Sequence, residues 1–218
     1  MLGLSLPDGP LTILCLGAHP DDIEIGCGGS LLRLLDEQPG SSVWWVVLSA
    51  TDPRAQEAEA GARAFAGRAA GLRIMIHQFR DGHFPSLLIE IKEAFESLRH
   101  EVPSPDLILT HYRDDRHQDH RVVSELTWQT FRNHAIMEFE VPKYDGDLGS
   151  PNLFIPLAES YRRRKVEALL QAFPSQREKH WFTEDTFLAL MRLRGVECAS
   201  PEGYAEAFHM RKVLLSRH

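Results

Sequence analysis

Cysteine is scarce in this 218-residue chain: Cys15, Cys27 and Cys198 are odd in number and scattered. Such a set makes no disulfide framework and has no C-x-x-C spacing for a structural zinc site. It fits a reducing, cytoplasmic compartment. Positive charge is also short. Against 31 Asp and Glu stand 24 Lys and Arg, a formal net charge of −7, which excludes a large nucleic-acid-binding face. The densest basic run, Arg162 to Lys165, reads as a solvated helix end. Long apolar runs are missing too. The opening stretch MLGLSLPDGPLTILCL has no basic n-region and stops at His19-Pro20-Asp21-Asp22, so neither a signal peptide nor a membrane span is expected. There is no internal repeat, no low-complexity linker, and no G-x-S-x-G elbow for a serine nucleophile.

What is present is alternation. At 43% hydrophobic and 25% charged, the composition is that of an ordinary globular protein, and the length suits one domain over 1–218. Short apolar runs at Leu11–Ala18, Val43–Ala50, Arg73–Phe79 and Asp106–Thr110 read as strands. Between and after them, helical spacing appears at Gly28–Glu37, Gln56–Ala70, Ser86–His100 and Asp119–Asn133. Strands alternating with helices imply βαβ units with right-handed crossovers. The expected fold class is therefore α/β, a Rossmann-like three-layer sandwich with a mostly parallel sheet. Beyond residue 134 the pattern predicts strands at Glu138–Val141 and Asn152–Pro156, and helices at Tyr161–Phe173 and Tyr204–Leu215.

Two polar clusters interrupt this pattern. His19-Pro20-Asp21-Asp22-Ile23-Glu24 follows the first strand, and His117-Gln118-Asp119-His120 follows the fourth. In the common order 3-2-1-4-5-6, the ligand crevice opens between strands one and four, beyond their carboxyl ends. The fold would thus bring together two sets of His and Asp about 100 residues apart in sequence. Catalytic zinc takes three N or O ligands and keeps a position open, and His19, Asp22 and His120 fit that requirement. Ferrous iron suits the same donors. Asp21 and His117 remain for proton transfer and oxyanion stabilisation, with Asp119 placed to orient His117. Helix capping is the alternative role for Asp21, Asp22 or Asp119. A dinucleotide fingerprint is not supported: after Gly17 the second and third glycine positions hold His19 and Asp22, and carboxylates there repel a pyrophosphate.

The strings AHPDDIEIGCGGSLLRL at 18–34 and HQDH at 117–120 resemble the LmbE-like (PIG-L type) family of zinc-dependent N-acetylglucosamine deacetylases. The family motifs read A-H-P-D-D-E and H-x-D-H; here Ile23 precedes the acid, so Glu24 follows one residue later. The resemblance implies metal ligation by His19, Asp22 and His120, with Asp21 as general base. It implies His117 as electrophile and general acid backed by Asp119, and Arg54 as a substrate-binding residue. Some members place a tyrosine two residues before the first His of the second motif; this chain has Asp115 there. The implied substrate is an N-acetylated sugar or glycoconjugate, and a small homo-oligomer is common in that family. An amidase for a larger acyl group and a non-catalytic metal- or sugar-binding protein are the alternatives. Two further substrate contacts are considered: His83, after the third strand, and Tyr144, in a polar stretch at 140–157, each against a plain surface role.

Overall fold

The strand runs owe their form to β-branched and aromatic residues that cover both faces of a sheet. In the computed structural model, which describes residues 3–214, they become β1 (Thr12–Gly17), β2 (Ser42–Val47), β3 (Gly71–Ile76) and β4 (Leu107–His111). Side chains alternate between two cores. Ile13, Cys15, Val43, Trp45 and Val47 enter one, while Leu14, Leu16, Val46 and Leu48 enter the other. The first core is covered by α1 (Asp22–Glu37), α2 (Arg54–Ala66) and α5 (Glu159–Ala172). The second is covered by α3 (Leu88–Glu101) and α4 (Gln118–Thr130). The result is a three-layer α/β sandwich.

The sheet is completed by β5 (Ala135–Phe139), β6 (Leu153–Pro156) and β7 (Ala205–His209), in the order β3-β2-β1-β4-β5-β7-β6. Strands β1 to β5 run parallel, whereas β7 is antiparallel to both β5 and β6. Strand order reverses between β1 and β4, so the crevice lies where the motifs emerge.

Two sequence expectations are corrected, and one helix is added. The helix expected over Tyr204–Leu215 is instead the strand β7, with 210–214 irregular and Leu215 outside the described residues. Its short apolar pattern fits either period, and pairing with β5 and β6 decides for the strand. Helix α6 (Glu184–Glu197) was not anticipated; its buried positions are few. The basic run at 162–165 is not wholly solvated. Lys165 is buried, and its Nζ donates to Glu206 Oε1 and to the Ile25 carbonyl.

Helix α1 begins at Asp22, earlier than the leucine spacing suggested, because three glycines hide its start. They serve close packing. A Cβ at Gly26 would come within 2.2 Å of the Phe139 ring on β5, and one at Gly28 within 2.4 Å of Phe65.

Candidate active site

Two helix N-termini, those of α1 and α4, converge on the crevice and favour carboxylates there. At the head of α1, Asp21 takes a left-handed backbone with φ 91°. A non-glycine residue held so costs about 1–3 kcal/mol, and such strain clusters at functional sites. Asp21 makes no side-chain cap to α1. Its Oδ2 instead accepts Arg54 Nη2 at 3.0 Å. The Asp22 carboxylate turns back to accept the His19 amide at 2.7 Å. Neither aspartate caps α1 with its side chain.

The first and second motifs meet. Nδ1 of His19 lies 3.3 Å from Nε2 of His120 and 3.4 Å from Asp22 Oδ2, and His120 Nε2 lies 3.5 Å from Asp22 Oδ1. A tetrahedral cation with bonds near 2.05 Å spaces its donors by about 3.3 Å. The two imidazole nitrogens meet that spacing, and the Asp22 carboxylate approaches each of them through a different oxygen.

Each imidazole is held from behind by a carboxylate. Nε2 of His19 lies 3.1 Å from Asp119 Oδ2, and Nδ1 of His120 lies 2.9 Å from Asp115 Oδ2. These bonds turn the remaining nitrogens toward the shared centre, the arrangement usual for metal-bound histidines. Asp119 does not cap α4 with its carboxylate, nor does that carboxylate reach His117. It accepts the amides of Gly82 and Phe84 at 2.7 and 3.1 Å. Helix α4 is capped by His117, whose Nδ1 accepts the Asp119 amide at 3.3 Å. That bond leaves the His117 proton on Nε2.

The electrostatics follow from burial and charge. Burial opposes a charged His19, but bonds to Asp119, Asp22 and Asp81 outweigh it and raise the ring well above its usual range. Burial lowers His120 to about 4, helped by the nearby His111, so it stands as a neutral donor. Burial and the neighbouring His19 also lower His117. Burial would raise Asp22, yet His120 and His111 hold it well below the carboxylate range. Burial pushes Asp21 up, Arg54 pulls it back and Asp22 pushes again, leaving it at about 7. A group tuned to that value can accept and return a proton near neutrality.

Several residues here were not singled out from the sequence. Asp81, 75% exposed by its side chain, brings Oδ1 to 3.0 Å from His19 Nε2. The side chain of His111 is fully buried, stacks on His120 at 3.9 Å, accepts the Ala18 amide, and lies 3.2 Å from Asp22. Glu57 ties Arg54 to Ser175, accepting from both. Sequence signals exist for Asp115, two residues before His117, and for Glu57, which with Arg54 heads the Ala-rich helix and extends the family resemblance. Of the expected substrate contacts, Arg54 lies at the site against Asp21. His83 is exposed beside the Gly82 and Phe84 amides that bind Asp119. Tyr144 is 69% exposed, and its hydroxyl meets His180 Nδ1 at 3.5 Å.

The profile of the family described as PIG-L, GlcNAc-PI de-N-acetylase, matches residues 14–131, more than half of the chain. The chain belongs to the PIG-L family. The PIG-L match spans both His/Asp motifs and ends just after α4. YaiS of Escherichia coli (strain K12), described as an uncharacterized deacetylase, is 34% identical over 167 residues, 72% of this chain and 88% of its own. Among solved structures, N,N'-diacetylchitobiose deacetylase from Pyrococcus horikoshii superposes with a TM-score of 0.67 at 19% identity, covering 92% of this chain and 83% of its own. GalB of Pseudomonas putida KT2440, a 4-carboxy-2-hydroxymuconate hydratase, reaches 0.74 at 18% identity over 95% and 99%. The PIG-L fold thus carries deacetylases and a hydratase, and the reaction must be argued from the site. Among the described residues, no helix is long and apolar enough to cross a membrane.

Proposed function

We propose that this protein is a zinc-dependent N-deacetylase acting on an N-acetylated sugar or its conjugate. The supporting observation is the convergence of His19 Nδ1 and His120 Nε2, 3.3 Å apart, on the Asp22 carboxylate, whose Oδ2 lies 3.4 Å from the first and Oδ1 3.5 Å from the second. Imidazole and carboxylate donors of this kind suit zinc. The site also gathers carboxylates: Asp21 meets Arg54, Asp115 meets Lys143, and Asp22, Asp81 and Asp119 meet only histidines among the basic side chains of the described residues. Such an assembly is stabilised by a bound cation.

When bound, the cation polarises the amide carbonyl and acidifies a water. The chain does the rest. Asp21 takes the proton from the attacking water. Arg54, anchored by Glu57, holds the Asp21 carboxylate in place. His117, with its proton on Nε2, donates to the oxyanion as a neutral imidazole, whereas the resemblance implies an electrophile that also serves as general acid. Asp21 returns its proton to the leaving amine, and acetate and a free amino sugar result.

The test is metal analysis of the purified protein, with acetate measured after incubation with N-acetylglucosamine and its glycosides, with and without chelator. One zinc per chain and chelator-sensitive acetate release are expected. Metal-free protein of full activity would sink the metal-dependent reading. Release of a longer acid in place of acetate would redirect the reading to a larger acyl group.

A further inference from the structure

The second motif is braced, through Asp115, by a lysine outside both motifs and outside the matched region. Asp115, 3% exposed, accepts the His117 amide on Oδ1 at 2.8 Å and Nδ1 of His120 on Oδ2 at 2.9 Å. The same Oδ2 receives Nζ of Lys143 at 2.8 Å. Lys143 lies between β5 and β6, and its side chain is 10% exposed. Its ammonium also donates to Asp147 Oδ2 at 2.7 Å and to the Val141 carbonyl at 3.4 Å. Asp147 in turn accepts the Arg116 amide at 2.6 Å. The 142–151 segment is thus fastened to the 115–120 segment at two adjacent points.

A simple tether would need only the Asp147 bond to Arg116. The lysine bond does more, because it lands on the oxygen that orients a metal ligand. A carboxylate behind a ligating histidine fixes the ring and its tautomer, and such partners matter for metal affinity. Charge-assisted bonds from a little-exposed ammonium hold that carboxylate in one rotamer. Without the ammonium, the Asp115 carboxylate is left underpaired in a buried place.

We propose that Lys143 is a positioning residue for the metal ligand His120, acting through Asp115, so that the 142–151 segment and the metal centre form one unit. The proposal rests on the metal-binding reading of His120.

The test is zinc affinity of metal-stripped full-length protein, measured by competition with a chromophoric chelator, with thermal melting of the metal-free forms alongside. Asp115→Asn is expected to weaken zinc binding about 10- to 100-fold, and Lys143→Met about 10-fold. The double variant should bind no more weakly than Asp115→Asn alone, because both changes break one chain of contacts. Lys143→Arg should restore affinity to within about threefold, and Asp147→Asn should leave it within about threefold. If Lys143→Met does not fold, Lys143→Gln takes its place. Wild-type affinity in the Lys143 variants overturns the proposal, as do losses that multiply in the double variant. An equal loss in Asp147→Asn assigns the effect to the segment and also overturns it. A wild-type protein with no zinc affinity sinks the metal-centre reading itself, a result separable from an unchanged Lys143 variant.

Discussion

Nε2 of His19 lies 3.1 Å from Oδ2 of Asp119, a contact that joins residues 100 positions apart. It fixes the His19 ring from behind, and the same carboxylate collects the Gly82 and Phe84 amides. One side chain therefore sets His19, the proposed metal ligand, and the β3–α3 turn together. Asp119→Asn should weaken zinc affinity about 10- to 100-fold. Chelator competition on the stripped protein measures this. Unchanged affinity would show that the contact does not serve the metal.

Asp21 carries the next expectation. As the proton acceptor it must be ionised, and burial leaves it at about 7. The rate should fall as pH drops through the ionisation of this group. A cation bound alongside favours the charged form and moves the fall to lower pH. Asp21→Asn should cost about 100-fold or more in kcat, erase that acid limb, and leave metal content intact. A pH–rate profile on both proteins decides it, and full activity in the variant would remove Asp21 from the mechanism.

In the proposed mechanism His117 donates as a neutral imidazole, so its contribution should persist above neutrality, where an imidazolium would have been lost. His117→Ala should lower kcat about 100- to 1000-fold, the range for loss of one oxyanion donor. Metal content should hold. If activity in the wild type collapses between pH 7 and 8, the charged form is the working one.

Lys165 and Glu206 form a buried pair that links α5 to β7, and Glu206 also accepts the Gly29 and Ser30 amides of α1. Lys165→Met leaves the carboxylate uncompensated and should cost about 3–5 kcal/mol of stability. Denaturant titration reads the loss. A change below about 1 kcal/mol would mean that the two α1 amides suffice for Glu206.

The sequence by itself determined the parallel half of the sheet, because buried strands of Val, Ile, Leu and Trp read plainly and alternate with helices. It also determined that His19 and His120 meet, since both motifs leave strands that flank the switch point. Local patterns could not determine β7, whose few residues fit two periods until β5 and β6 pair with them. Nor could they reveal Asp81, His111 or Lys143 as neighbours of the site, because each is brought there from a different element. Which carboxylate stands behind which imidazole was decided only in three dimensions. Sequence proximity suggested Asp119 for His117, but the direction of side chains leaving the first turn of α4 sends it to His19. Spacing along a chain reports what can be adjacent. Hydrogen-bond direction, set by packing, decides what is.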